Sequence, residues 1–208
     1  MRKATFFLSV SFMLIVCMVS AQNATPTDRT SEYPFAQSSG MFQIGGNVLV
    51  MYPYLTSAKF LGASAAYSHA LAGHWTLGLG LDYNFRNARS GSYYTDGSPI
   101  PVSSTINEHM WSVIPEVRYY FDRNFRGFYL GGNFIYHGFS SLTTIDGSSN
   151  GTLQTSSFGS IGTVFGCILD LTKALNLQIG TDLGVTLATD QRASGVIVGG
   201  GAKLGYKF

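Results

Sequence analysis

From Trp75 to Arg86 the chain alternates strictly. Trp75, Leu77, Leu79, Leu81, Tyr83 and Phe85 are apolar, and Thr76, Gly78, Gly80, Asp82, Asn84 and Arg86 between them are small or polar. Successive side chains of a strand point to opposite faces, so this period of two predicts an amphipathic β-strand with one greasy and one polar face. Asn176 to Ala188 repeats the pattern: Leu177, Ile179, Leu183, Val185 and Leu187 oppose Asn176, Gln178, Gly180, Asp182 and Thr186. The last fourteen residues do so again, with Val196, Val198, Gly200, Ala202, Leu204, Tyr206 and Phe208 on one face and Lys203 and Lys207 on the other. Less tidy alternation covers Met41–Tyr52, Lys59–Leu71, Glu108–Phe121 and Phe128–Phe139. Phe158–Leu169 is apolar on both faces, which leaves its register open. Pro115 interrupts the segment it sits in, because it has no N–H to give to a ladder, and predicts a bulge or local irregularity.

Eight such segments predict an all-β fold, an eight-stranded antiparallel up-and-down transmembrane β-barrel, with residues 39–208 as its domain. The links support this. Those around Ala72-Gly73, 122–126 and 171–174 are short, whereas 88–106 and 141–153 are the longest. Short turns on the periplasmic side and longer loops outside are the habit of outer-membrane barrels, and an even strand number keeps both termini on one side.

The face that meets lipid follows from cost. An Arg or Lys facing mid-membrane lipid costs about 2–4 kcal/mol, and rows of bulky aromatics would crowd a narrow lumen. Asp82, Arg86, Glu116, Arg118, Asp182, Lys203 and Lys207 are therefore expected inside, four positive against three negative, as a polar network that plugs the barrel. Small residues such as Gly78, Gly80, Gly131 and Gly180 leave room for the long side chains to reach across an interior that eight strands make just wide enough to fill. Trp75, Tyr119, Phe121, Phe128 and Phe208 at one end, and Tyr52, Phe85 and Tyr136 at the other, suit interfacial girdles.

Composition agrees. Charged residues make up 12% of the chain, about half the usual share, while aromatics reach 14% and there are 25 glycines. The N-terminus reads as a secretory signal peptide over 1–21: Arg2 and Lys3, an apolar run from Phe6 to Met18, then Val19-Ser20-Ala21. Residues 22–38, rich in Ser, Thr and Pro, read as a flexible lead-in. No second apolar run is long enough for a helical span, which leaves a closed barrel as the way to satisfy every backbone group in lipid. Without the leader the chain is neutral, so nothing points to nucleic acid.

Candidate chemistry is sparse. Beyond the leader only Cys167 remains, with neither a disulfide partner nor zinc spacing. Neither catalytic, metal nor cofactor residues are assigned, since HExxH, a complete GxSxG and a P-loop are missing. Glu108, His109 and Ser112 are the one place where an acid, a histidine and a serine cluster. Neighbours in a strand face opposite ways, however, so Glu108 and His109 cannot share a site without a bulge. His69 and His74 flank a turn, and His137 is expected inward among polar neighbours.

The run Pro115–Gly138 (PEVRYYFDRNFRGFYLGGNFIYHG) and the terminal Phe208 resemble the small eight-stranded outer-membrane barrels of the OmpA/OmpX type, in the compact form of Bacteroides-like bacteria. The resemblance spans Gly40 to Phe208. It implies the fold, a bacterial outer-membrane location, and a terminal strand whose Leu204, Tyr206 and Phe208 act as the signal read by the barrel assembly machinery. Full-length OmpA continues into a peptidoglycan-binding domain, and this chain does not, which argues against wall tethering.

The expected function is non-enzymatic: envelope architecture or surface contacts through extracellular loops, with Tyr93 and Tyr94 as candidate contacts. Expected partners are outer-membrane lipid and lipopolysaccharide, the assembly machinery, and an extracellular ligand reached through the loops. A narrow channel and an outer-leaflet lipid-modifying enzyme are the alternatives.

Overall fold

The computed structural model describes residues 39–52, 58–71, 74–93, 102–122, 125–145, 151–187 and 195–208, all within one compact unit, Ser38–Phe208. The expected signal peptide and lead-in lie outside the described residues, as does Tyr94. Eight strands follow one another: β1 (Gly40–Tyr52), β2 (Ala58–Ala70), β3 (Trp75–Tyr93), β4 (Val102–Tyr120), β5 (Gly127–Ile145), β6 (Gly151–Asp170), β7 (Leu175–Thr186) and β8 (Val196–Lys207). Each pairs antiparallel with the next, and β8 returns to β1, closing the barrel. Closure is tight at the chain end, where Phe208 and Gly40 exchange backbone bonds of 3.1 and 3.2 Å.

Alternation sets the faces as the sequence pattern predicts. Gln43, Ser64, Thr76, Asn84, Ser112, Arg118, Asn133 and Gln178 are buried in the lumen, whereas Leu77, Leu79, Leu81, Val185, Leu204 and Tyr206 are about half exposed on the outer wall. β6 resolves its open register, with Phe158, Ser160, Val164 and Ile168 inward and Ile161 and Phe165 outward. The outward apolar row of β3 runs from Trp75 to Phe85. Ten steps at about 3.3 Å, tilted by roughly 40°, rise about 25 Å, the height of an outer-membrane apolar band. Aromatics mark its lower border: Trp75 packs edge-on to Tyr119 at 5.1 Å and Tyr119 to Phe121 at 5.6 Å, between ring centroids.

Two expectations change. The long outer links are mostly strand: β3 and β4 stay paired as far as Tyr93↔Val102, through a register shift between Ser90 and Tyr93, and β5 and β6 as far as Thr144↔Gly151. β3 to β6 are 19 or 20 residues long against 12 or 13 for the other four. Above the membrane both faces of a strand meet water, so the apolar-polar alternation that betrays a strand in lipid is gone. Tyr93 accordingly ends β3 and does not sit in a loop. Pro115 pairs with Leu79 of β3, while the β4–β5 ladder omits Ile114 and Pro115 yet keeps one register on both sides, Val113↔Tyr136 and Glu116↔Asn133. The irregularity is a gap without a bulge.

The β4–β5 turn carries an apolar residue into the barrel. Phe125 adopts φ of 61°, in the left-handed region that non-glycine residues seldom occupy, and Gly127 follows at φ of 70°. Phe125 is fully buried against Tyr120, 6.0 Å between ring centroids.

Candidate functional site

The lumen is built in layers. At the periplasmic end Met41, Tyr120, Phe125, Tyr129, Val164 and Ile168 form an apolar cluster. Toward the outside Leu49, Met51, Phe60, Met110, Phe158 and Ile197, with Phe139 against them, form another. These inward hydrophobics fall on the face expected to be polar.

Between the clusters lies the polar middle. Arg118 stands at its centre. Its NH2 meets Glu116 Oε1 at 2.7 Å, its NH1 donates to Gln178 Oε1 at 2.8 Å, and its Cζ lies 4.6 Å from the Tyr129 ring centroid. Gln178 Nε2 donates to the Tyr129 hydroxyl at 2.9 Å, and Gln43 Nε2 reaches across from β1 to Gln178 Oε1 at 2.5 Å. Asn47 donates to Asp82 Oδ2 at 2.6 Å and Asn133 to Asp182 Oδ1 at 3.0 Å. Lys203 faces the same small cavity as Asp82, Glu116, Asp182 and Arg118, which encloses about 30 Å³. That is room for about two water molecules. Gly180 is required here, because a Cβ on it would meet the Tyr129 hydroxyl.

Of the expected network, Asp82, Glu116, Arg118, Asp182 and Lys203 come together. Arg86 and Lys207 do not. Arg86 pairs with Glu108 at 3.2 Å toward the outer rim. Lys207 bonds to Asp170 at the periplasmic rim, where Arg126 also lies 3.7 Å from Asp170 and 3.5 Å from Asp122. The polar middle therefore holds three carboxylates and two cations.

The acid–histidine–serine cluster is dispersed by alternation. Glu108 turns inward to Arg86, and His109 turns outward, its Nδ1 2.8 Å from the Tyr83 hydroxyl. Ser112 meets a different histidine. Its Oγ is 2.8 Å from His137 Nδ1, while His137 Nε2 is 3.0 Å from Ser160 Oγ and the ring stacks on Phe158 at 4.7 Å. This Ser–His–Ser row spans β4, β5 and β6 and escapes sequence reading because only register joins residues 23 and 25 positions apart. Gln43, Asn47, Asn133, Gln178 and Tyr129 also go unflagged. Alternation puts Gln43, Asn47, Asn133 and Gln178 on the polar face, in phase with the charged residues, but only the register shows which groups they meet.

On the outer wall of β8, Leu204, Tyr206 and Phe208 are exposed, and Phe208 stacks with Tyr67 at 6.3 Å.

Among solved structures the barrel is similar to Neisserial surface protein A (16% identity, TM-score 0.58, covering 82% of this chain and 98% of that one). It is also similar to Ail, the attachment invasion locus protein of Yersinia pestis, solved with the heparin analogue sucrose octasulfate (12% identity, TM-score 0.55, covering 81% and 97%). At such identities the likeness is one of fold. No curated protein matches the sequence. The closed eight-stranded wall with its apolar outer band makes the protein a bacterial outer-membrane β-barrel. A family model described as "Protein of unknown function (DUF3575)" matches residues 55–208, nearly the whole barrel, and the chain belongs to that family.

Proposed function

We propose that the protein is a non-enzymatic, non-conducting outer-membrane barrel whose function lies in envelope architecture and in contacts made outside the membrane. The observation that carries this is the lumen's layering: apolar clusters on both sides of a polar middle whose cavity holds about 30 Å³. A hydrated ion or small solute would have to displace packed Met, Phe and Ile side chains at two levels. The contact surface is supplied by the tall half of the wall. β3 to β6 are longer than the rest by about six residues, roughly 20 Å of strand, and Tyr93 ends β3 at this outer edge. The heparin-analogue complex of Ail makes a sulfated polysaccharide a reasonable first ligand to try on this surface.

The test is conductance. Purified barrel reconstituted in planar bilayers should stay silent. A steady open conductance in the wild type, altered by Arg118→Ala, would establish the channel reading instead. Unchanged lipid A in cells that overproduce the protein is expected as well, and a modified profile abolished by His109→Ala would make it an enzyme.

A further inference from the structure

Charge on this barrel is sorted by face. The five carboxylates of the described strands, Asp82, Glu108, Glu116, Asp170 and Asp182, all occupy lumen-facing positions, as do Arg86, Arg118, Lys203 and Lys207. Two permanently charged strand residues face outward, and both are basic: Lys59 on β2 and Arg89 on β3. They lie on neighbouring strands at the outer end. The β2–β3 ladder ends at Leu61↔Phe85, and Lys59 and Arg89 follow two and four residues beyond it on the outward faces of the two strands. Strands that pair at Leu61↔Phe85 leave these two long side chains on one patch of the outer wall, from which both can reach one anion. Both lie above Leu61 and Phe85, the last apolar residues of their rows, and so at headgroup level. Among the described residues neither has a carboxylate partner.

Directly below them the outer wall is concave. An open groove enclosing about 740 Å³ runs down β1, β2, β3 and β8, and its lining is overwhelmingly apolar. Ala63, Ala65 and Ala202 form its floor, and Leu81, Tyr83 and Leu204 its sides. Its upper end lies at Ala63 and Tyr83, in the upper half of the Trp75–Phe85 row, and its lining continues down to Ile44, Leu204 and Leu177. Ala63 is four residues below Lys59, roughly 13 Å along the strand.

From this juxtaposition we propose that the outer wall at β1–β3 and β8 binds one phosphorylated acyl lipid of the outer leaflet. Its acyl chain lies in the Ala63–Ala202 groove, and its phosphate is held by Lys59 and Arg89. An apolar groove alone would take any chain, and two cations alone would take any anion. The pair, spaced as the acyl and phosphate parts of one lipid are and with its cations at the outer end, selects a molecule that is both. Arg offers a fork of N–H donors and Lys a mobile point charge, a combination suited to a phosphate monoester. The site is separate from the lumen and from the surface contacts proposed above, so it stands whether or not those are found.

The test uses the folded, full-length barrel in detergent and native mass spectrometry, with three probes: bisphosphorylated lipid A, the same lipid dephosphorylated, and its deacylated sugar phosphate. Wild type should retain one copy of the first and little of the other two. Lys59→Gln with Arg89→Gln should weaken retention by about tenfold or more, given two lost attractions at a membrane surface. Ala63→Leu with Ala202→Leu, which fills the groove, should weaken it too, with heat-dependent gel mobility confirming that both variants fold. The proposal is overturned if dephosphorylated lipid A is held as well as the phosphorylated form, if the deacylated sugar phosphate is held as tightly as the intact lipid, or if wild type retains no lipid. The first two arms need no variant.

Discussion

Arg118 has exchanged water for protein on every side: Glu116, Gln178 and the face of Tyr129 replace its hydration. A buried ion pair adds little over a well-packed apolar pair, but removing one partner strands the other. Arg118→Met should therefore cost about 3–5 kcal/mol, read as a lower urea midpoint for unfolding from lipid vesicles, whereas Arg118→Met with Glu116→Gln should recover part of the loss. Equal midpoints for wild type and Arg118→Met would contradict this account. Gly180 offers a second probe. A methyl group there drives the Tyr129 hydroxyl from its place beside Gln178, so Gly180→Ala should destabilise by about 1–3 kcal/mol, and Tyr129→Phe in the same chain should relieve it. The charged members of this cluster were legible in the sequence because lipid forbids them the outer face. Their partners were not: Gln43 and Gln178 are separated by 135 positions and meet only through the barrel's register.

At the level of the strand, legibility followed the solvent. Trp75 to Phe85 reads as a strand because lipid and lumen impose opposite demands on its two faces. Residues 88–93 and 151–157 are strand as well, but water on both sides imposes no alternation, so they resembled loops. Replacing 88–106 by a two-residue Asn-Gly turn removes only this extension, and the shortened barrel should keep the heat-dependent gel mobility of a folded one. If it fails to fold, the extension is part of the core and not an appendage. β8 makes the opposite demand. Phe208 is bonded through both backbone groups to Gly40 and stacks on Tyr67, while Lys207 makes a rim contact with Asp170. Deleting Phe208 should reduce the folded barrel recovered from outer membranes far more than Lys207→Ala does, as measured by immunoblot. Comparable losses would remove the special role assigned to the terminal residue.

For the molecule as a whole, alternation, even strand number and short-versus-long links gave the architecture, since closure is the one way for eight such strands to satisfy their backbone in lipid. The apolar layers of the lumen were harder to see. Met41, Met110, Phe158 and Ile197 stand on positions that a two-letter reading makes polar, and they pack into the two apolar clusters on either side of the polar middle. The distribution of charge has a consequence for the order of events in folding. Glu116 and Arg118 are two residues apart on one face of β4, so they neutralise each other as soon as that strand extends. Asp82 and Asp182 have no such neighbour. The lysine that shares their cavity, Lys203, sits on β8, the strand that closes the barrel on β1, and so does Lys207, which meets Asp170. Without β8 the polar middle holds three carboxylates against Arg118 alone, and Lys203 brings the count to three against two. The strand that closes the wall also eases the repulsion among the lumen's carboxylates, so the open form is disfavoured on two counts at once.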